Sequence, residues 1–151
     1  MQNYSHEYWM NLALEQARYA QSIGEVPVGA VIVQNNQLVA SGYNYSINSQ
    51  DSTAHAEVVA IRQAGQKLTN YRLTGCDLYV TLEPCIMCLG ALLHSRVNHL
   101  YYGASDPKTG ALGGLVDLSG LYIINHKITV TKNILAEPCS ALLKDFFKSK
   151  R

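Results

Sequence analysis

An α/β layered fold, with a central sheet covered on both faces by helices, follows from three observations on this chain of 151 residues. Segments with the helical period alternate with short β-leaning runs along most of its length. Two of those runs flank Asn35-Asn36, a pair that tolerates the positive φ of a tight hairpin turn. A hydrophobic content of 48% suffices for one substantial core at this length and not comfortably for two, so residues 1–151 are expected to form a single domain.

The elements follow in order. Ser5 is a suitable N-cap for a first helix whose apolar face is Trp9, Leu12, Ala13, Ala17 and Ala20, ending near Gly24. The runs 28–33 and 38–44 read as the hairpin strands. A helix over 53–66 has Thr53 as its expected N-cap and Ala56, Val59 and Ala60 on its buried face. A strand over 77–82 leads into a helix over 84–95, with Pro84 expected at the first helical position, where a missing N–H costs nothing. A strand over 98–104, a polar Gly-rich loop, a strand near 128–132 and a helix near 135–149 complete the chain. No repeat, linker or low-complexity tract interrupts it.

The chemistry concentrates in two short strings. His55-Ala56-Glu57 is followed by Pro84-Cys85-Ile86-Met87-Cys88, and Cys85 and Cys88, three apart, share one face of a helical turn. One imidazole and two thiolates suit zinc, and three protein ligands leave a coordination position for water, whose pKa the metal lowers to roughly 7. Helix N-termini favour anions and so bias both thiols toward the thiolate. Glu57, two residues beyond His55, can lie beside that water without taking a ligand position, as a proton carrier does. Two other readings stand beside catalytic zinc. Cys-x-x-Cys serves redox chemistry elsewhere, and a structural zinc would recruit a fourth ligand from Cys76, Cys139 or another histidine, none of which stands at a usual spacing.

Composition bounds the setting. The formal charge of +1 carries no global nucleic-acid signature, so RNA contact would need a local basic surface. No run of about 18 apolar residues suggests a membrane span, and the polar start Met1-Gln2-Asn3-Tyr4-Ser5 is unlike a signal peptide. A cytoplasmic protein is expected, with Cys76 and Cys139 as buried thiols.

With these residues in view, the chain resembles the bacterial tRNA adenosine deaminases, a branch of the cytidine deaminase-like zinc deaminases. The strings that carry the resemblance are Glu25-Val26-Pro27-Val28-Gly29-Ala30-Val31, Thr53-Ala54-His55-Ala56-Glu57, Leu78 through Cys88, and His94-Ser95-Arg96. The metal strings alone would fit deaminases of free bases and nucleosides equally. The narrower likeness lies in Gly103-Ala104-Ser105-Asp106, Lys108-Thr109-Gly110-Ala111 and the ending Leu142-Leu143-Lys144-Asp145-Phe146-Phe147. The resemblance implies a three-layer α/β/α fold with a central mixed five-stranded sheet. It implies one zinc per chain on His55, Cys85 and Cys88, a homodimer, and a hydrolase acting on the C–N bond of a cyclic amidine. The reaction it implies is deamination of the wobble adenosine of a tRNA anticodon to inosine, by a zinc-activated water and Glu57 as proton shuttle.

Carried over position by position, the resemblance makes Asn44 a hydrogen-bond partner of the flipped nucleotide. Val28, Leu82, Leu93 and Ala104 become pocket walls, and Asp106, Lys108 and Phe147 RNA contacts. Each has a plainer reading: Val28, Leu82 and Leu93 as core, Asn44 as a strand end, Asp106 and Lys108 as turn residues. Phe146-Phe147, with Lys148, Lys150 and Arg151 after them, read either as a stacking element or as a helix burying two aromatics. Ser105 stands where many members of that family carry a basic residue. A deaminase of free purines or pyrimidines, and a zinc-stabilised RNA-binding module without turnover, are the alternative functions.

Overall fold

The computed structural model describes residues 3–120 and 126–150. Five strands form one sheet in the order β2-β1-β3-β4-β5: β1 Gly29–Gln34, β2 Gln37–Tyr43, β3 Cys76–Leu82, β4 His99–Ala104 and β5 Thr129–Thr131. β1 runs antiparallel to both β2 and β3, whereas β3, β4 and β5 are parallel. The sheet is therefore mixed and five-stranded, as the resemblance implies. Asn35 and Asn36 take φ of 52° and 59° in the β1–β2 turn, the positive values their short polar side chains tolerate.

The side-chain alternation of the strands separates two cores. Ala30, Ile32, Leu78, Val80, Leu100 and Tyr102 point to the face covered by α3 (Ala56–Leu68) and α4 (Ile86–His94). Val31, Val33, Tyr79 and Tyr101 point to the other face, covered by α1 (His6–Ser22) and α5 (Ala136–Ser149). These are the three expected layers. The Ser5 hydroxyl accepts from the Tyr8 N–H at 3.0 Å and caps α1 as expected. The α1 face differs in detail: Met10 and Leu14 are fully buried, while Leu12 is half-buried.

Both metal-bearing helices begin later than their sequence suggests. α3 starts at Ala56 with His55 as its N-cap, because the Thr53 N–H and hydroxyl both go to Asp51 Oδ1, at 2.9 and 2.7 Å. Asn44 supplies the missing cap from outside the helix, its Oδ1 accepting from the Ala56 N–H at 2.9 Å. α4 starts at Ile86 with Cys85 as N-cap, so Pro84 lies outside the helix. The Pro84 carbonyl accepts from the Ala111 N–H at 2.9 Å. A four-residue helix, α2 (Ser46–Ser49), is an element the periodicity does not reveal. Gly42 lets α3 approach β2: a Cβ there would collide with the Ala56 carbonyl and the Ala60 backbone.

Candidate metal centre and nucleotide pocket

The carboxyl ends of the parallel strands are where ligands gather in open α/β sheets. There, the start of β1, the end of β2 and the N-termini of α3 and α4 meet. His55 and Cys85, as N-caps, and Cys88, in the first turn of α4, bring three donors together within 4.8 Å of one another. His55 Nδ1 lies 3.6 Å from Cys85 Sγ and 3.5 Å from Cys88 Sγ. A tetrahedral zinc with Zn–N near 2.0 Å and Zn–S near 2.3 Å needs N···S edges of about 3.6 Å, so the donor triangle fits that ion. Among the described residues no fourth donor joins the group. Cys76 and Cys139 are free thiols buried in the two cores, and His99 and His126 are engaged with Thr131 Oγ1 and the Val97 carbonyl at 2.7 and 2.8 Å.

The two thiols differ in their electrostatics. The bond from Cys88, with help from His55, holds the Cys85 thiol down to about 4. The same bond to Cys85, together with burial, pushes Cys88 upward. Glu57, in the first turn of α3, is 3% exposed, and burial pushes its carboxyl up to about 7.

The donors open into a cavity of about 130 Å³ whose walls include Val28, Asn44, His55, Glu57, Leu82, Cys85 and Asp106. Asn44 has spent its oxygen on the α3 cap, so its Nδ2 is the group left to face a ligand. Beyond Val26, Leu82, Asp106 and Thr109 the cavity meets a groove of about 940 Å³, which contains Ala104, Ser105 and Lys108 and the α5 residues Leu143, Lys144, Phe147 and Lys148. Ala104 thus lies in the groove and not against the inner cavity. Leu93 lines neither: it is a core residue of α4, 1% exposed, because that face of α4 packs on the sheet. Asp106 has its own carboxylate engaged by the Lys108 and Thr109 N–H groups and the Thr109 hydroxyl, and so shapes its loop. The two phenylalanines divide: Phe146 is buried and Phe147 is half exposed in the groove. Arg151 lies outside the described residues.

Two buried carboxylates beside the pocket escaped sequence reasoning. Glu83 is 2% exposed and accepts from the N–H groups of Asp106, Leu112 and Gly114 at 2.9, 2.8 and 2.9 Å. It ties the groove loop to the strand end that leads into Cys85. Glu25, also 2% exposed, accepts from the N–H groups of Ile47 and Asn48 and from Asn48 Nδ2, which anchors α2 beside Asn44. Burial alone would raise the Glu25 carboxyl, but the Asn48 and Ile47 bonds outweigh it and hold it below its ordinary value. The available signal was a lone acid one or two residues before a proline, in Glu25-Val26-Pro27 and Leu82-Glu83-Pro84.

Residues 3–104 match the cytidine and deoxycytidylate deaminase zinc-binding region. The chain is 49% identical over 146 residues to the tRNA-specific adenosine deaminase of Haemophilus influenzae, covering 96% of this chain and 84% of that one. It is 43% identical to the enzyme of that name from Bacillus subtilis, over 96% and 90% of the two chains. A solved structure from a study of A-to-I editing by tRNA:A34 deaminases superposes with a TM-score of 0.86 at 41% identity, covering 90% of this chain and 99% of that one. A guanine deaminase from Nitrosomonas europaea is similar at a TM-score of 0.82 and 28% identity, over 94% and 84%.

Proposed function

Because the chain belongs to the cytidine and deoxycytidylate deaminase family, we infer that it is a zinc-dependent hydrolase that converts the wobble adenosine of a tRNA anticodon to inosine. The observation that carries this reading is the junction of the two cavities. A half-buried three-donor metal site with a buried carboxylate beside it adjoins a lysine-bearing groove through shared lining residues, which suits a base presented on a polyanionic strand rather than a free base alone. Residues 1–151 act as one deaminase domain.

His55, Cys85 and Cys88 hold the zinc. When bound, it acts as a Lewis acid that makes water acidic enough to ionise near neutral pH. Asn44 Nδ2 and the walls formed by Val28 and Leu82 hold the flipped adenine with C6 toward the metal side. Glu57 accepts a proton from the attacking water and delivers it to N1, then takes the second proton from the hydroxyl now on C6 and passes it to the amino group, so that the C–N bond breaks, C6=O forms, and water and adenosine give inosine and ammonia. Asp106, Lys108 and Phe147 guide the neighbouring nucleotides along the groove, with Ala104 as its floor.

A homodimer completes the reading. Ile86, Leu115 and Val116 are exposed apolar side chains gathered by the Cys85–Gly110 bridge and by bonds from the Leu115 and Val116 N–H groups to the Gly110 carbonyl. A second copy would cover that patch. Among the described residues no helix is long and apolar enough to cross a membrane. We place the protein in the cytoplasm, where tRNA is processed. Incubation with total tRNA followed by inosine mapping tests the assignment: inosine confined to the wobble position supports it. Turnover of free guanine, adenosine or cytidine with none on tRNA would transfer it to the free-base deaminases.

A further inference from the structure

Three tyrosines stand together at the pocket end of the edge strand. Tyr19 on α1 meets Tyr43 at the end of β2 with ring centroids 4.7 Å apart and planes at 64°. Tyr43 in turn meets Tyr45 at 5.7 Å and 87°. The middle ring is half-buried and fixed, whereas Tyr19 is 51% and Tyr45 39% exposed, so the outer rings present aromatic surface that the core does not use.

This ladder is joined to the nucleotide pocket by backbone. Tyr43 pairs with Gly29, the neighbour of the pocket wall Val28. The next residue, Asn44, lines the pocket and donates its N–H to the Val28 carbonyl at 3.1 Å. Tyr45 then donates its N–H to the Ala54 carbonyl at 2.9 Å, one residue before the ligand His55. Behind Tyr45, α2 is clamped by the buried Glu25 carboxylate, so the outer ring sits on a rigid support.

An adenosine turned into a closed pocket loses its stacking neighbours, and proteins that read unpaired RNA replace them with aromatic faces. Phe147 offers one such face on the groove side. We propose that the Tyr19–Tyr43–Tyr45 ladder is a second stacking surface, on the β2 side of the pocket, that receives an unpaired nucleotide flanking the deaminated adenosine. Its phenol hydroxyls add donors and acceptors for phosphate or sugar, which phenylalanine lacks. The inference rests on the RNA-substrate reading given above.

The test compares wild type, Tyr45→Ala, Tyr19→Ala, their double, and Tyr45→Phe on an anticodon stem-loop, with Tyr71→Ala as an exposed aromatic control away from the pocket. Tyr45→Ala should raise KM at least about fivefold, the lower end for loss of one base stack. The double should raise it further, with kcat, zinc content and melting temperature kept. Tyr45→Phe should retain most of the affinity, and Tyr71→Ala all of it. An unchanged KM in a folded, zinc-loaded double variant overturns the ladder while leaving the function standing. So does a change in sedimentation without a change in KM, which would assign the tyrosines to a second copy of the chain. A wild-type protein that neither binds nor deaminates the stem-loop would overturn both readings together.

Discussion

The metal pocket and the groove beside it are built by opposite means. Every pocket donor hangs from the N-cap or first turn of a helix: His55 and Cys85 are half-buried N-caps, and Cys88 is buried in the first turn of α4. The groove lies between the loop over 105–109 and one side of α5, with Lys108, Lys144, Lys148 and Phe147 in contact with solvent. The contrast teaches that chemistry demands fixed distances, whereas recognition of a flexible polyanion needs charge and aromatic area at adjustable distances. Damage to the first should remove turnover, and damage to the second should raise KM.

The largest expected effect comes from the metal donors. Cys88→Ala should lose zinc and all activity and lower the melting temperature, because structural integrity at this junction is coupled to metal occupancy. Metal analysis beside calorimetry checks this; an active, zinc-free variant would break the contrast. Next comes the tie between the two regions. Glu83→Gln turns an acceptor of three N–H groups into a poorer one, removing charge-assisted bonding of about 1.5–3 kcal/mol from the groove loop. It should raise the stem-loop KM more than it lowers kcat, with zinc retained. A variant that kept KM and lost zinc would show that Glu83 serves the metal helix instead.

Within the groove, Phe147→Ala should raise KM at least about fivefold with stability unchanged, since its ring is exposed. Removal of the whole tail after Asp145 is the poorer experiment, because it also takes Phe146 out of the core. Lys144→Ala and Lys148→Ala should each flatten the dependence of log affinity on log salt by roughly one phosphate contact. The smallest effect belongs to Glu25. A carboxyl held below its ordinary value of 4.5 in the folded state contributes stability above that pH and loses it as the pH falls through the lowered value. Wild type should therefore lose melting temperature more steeply than Glu25→Gln below pH 4.5, where the folded chain must take up the proton. Parallel curves would show that the bonds to α2 do not favour the charged form.

Legibility in the sequence followed how local each feature is. The cap at Ser5, the Asn35-Asn36 turn and the five strands rest on local pattern and are present as read, and the two short strings that hold His55 and the Cys85–Cys88 pair, thirty residues apart, do come together. The start of α3 was misplaced because Thr53 is claimed by Asp51, while the real cap acceptor, Asn44, arrives from β2. Leu93 could not be assigned, since the helix angle that turns it to the core is set by packing against the sheet. Glu25 and Glu83 were passed over for a related reason: what makes a buried carboxylate tolerable is a cluster of N–H groups from segments more than twenty residues away. The homodimer patch and the tyrosine ladder likewise exist only after folding brings their members together.

The most direct test of the separation between chemistry and recognition is Glu57→Ala, with zinc content, stem-loop affinity and ammonia release measured on the same preparation. Glu57 is no metal donor and lies in the inner cavity away from the groove lysines, so zinc and RNA affinity should stay at wild-type levels while turnover falls by at least about a hundredfold. Near-wild-type ammonia release from that variant, or loss of RNA binding in step with turnover, would contradict the account.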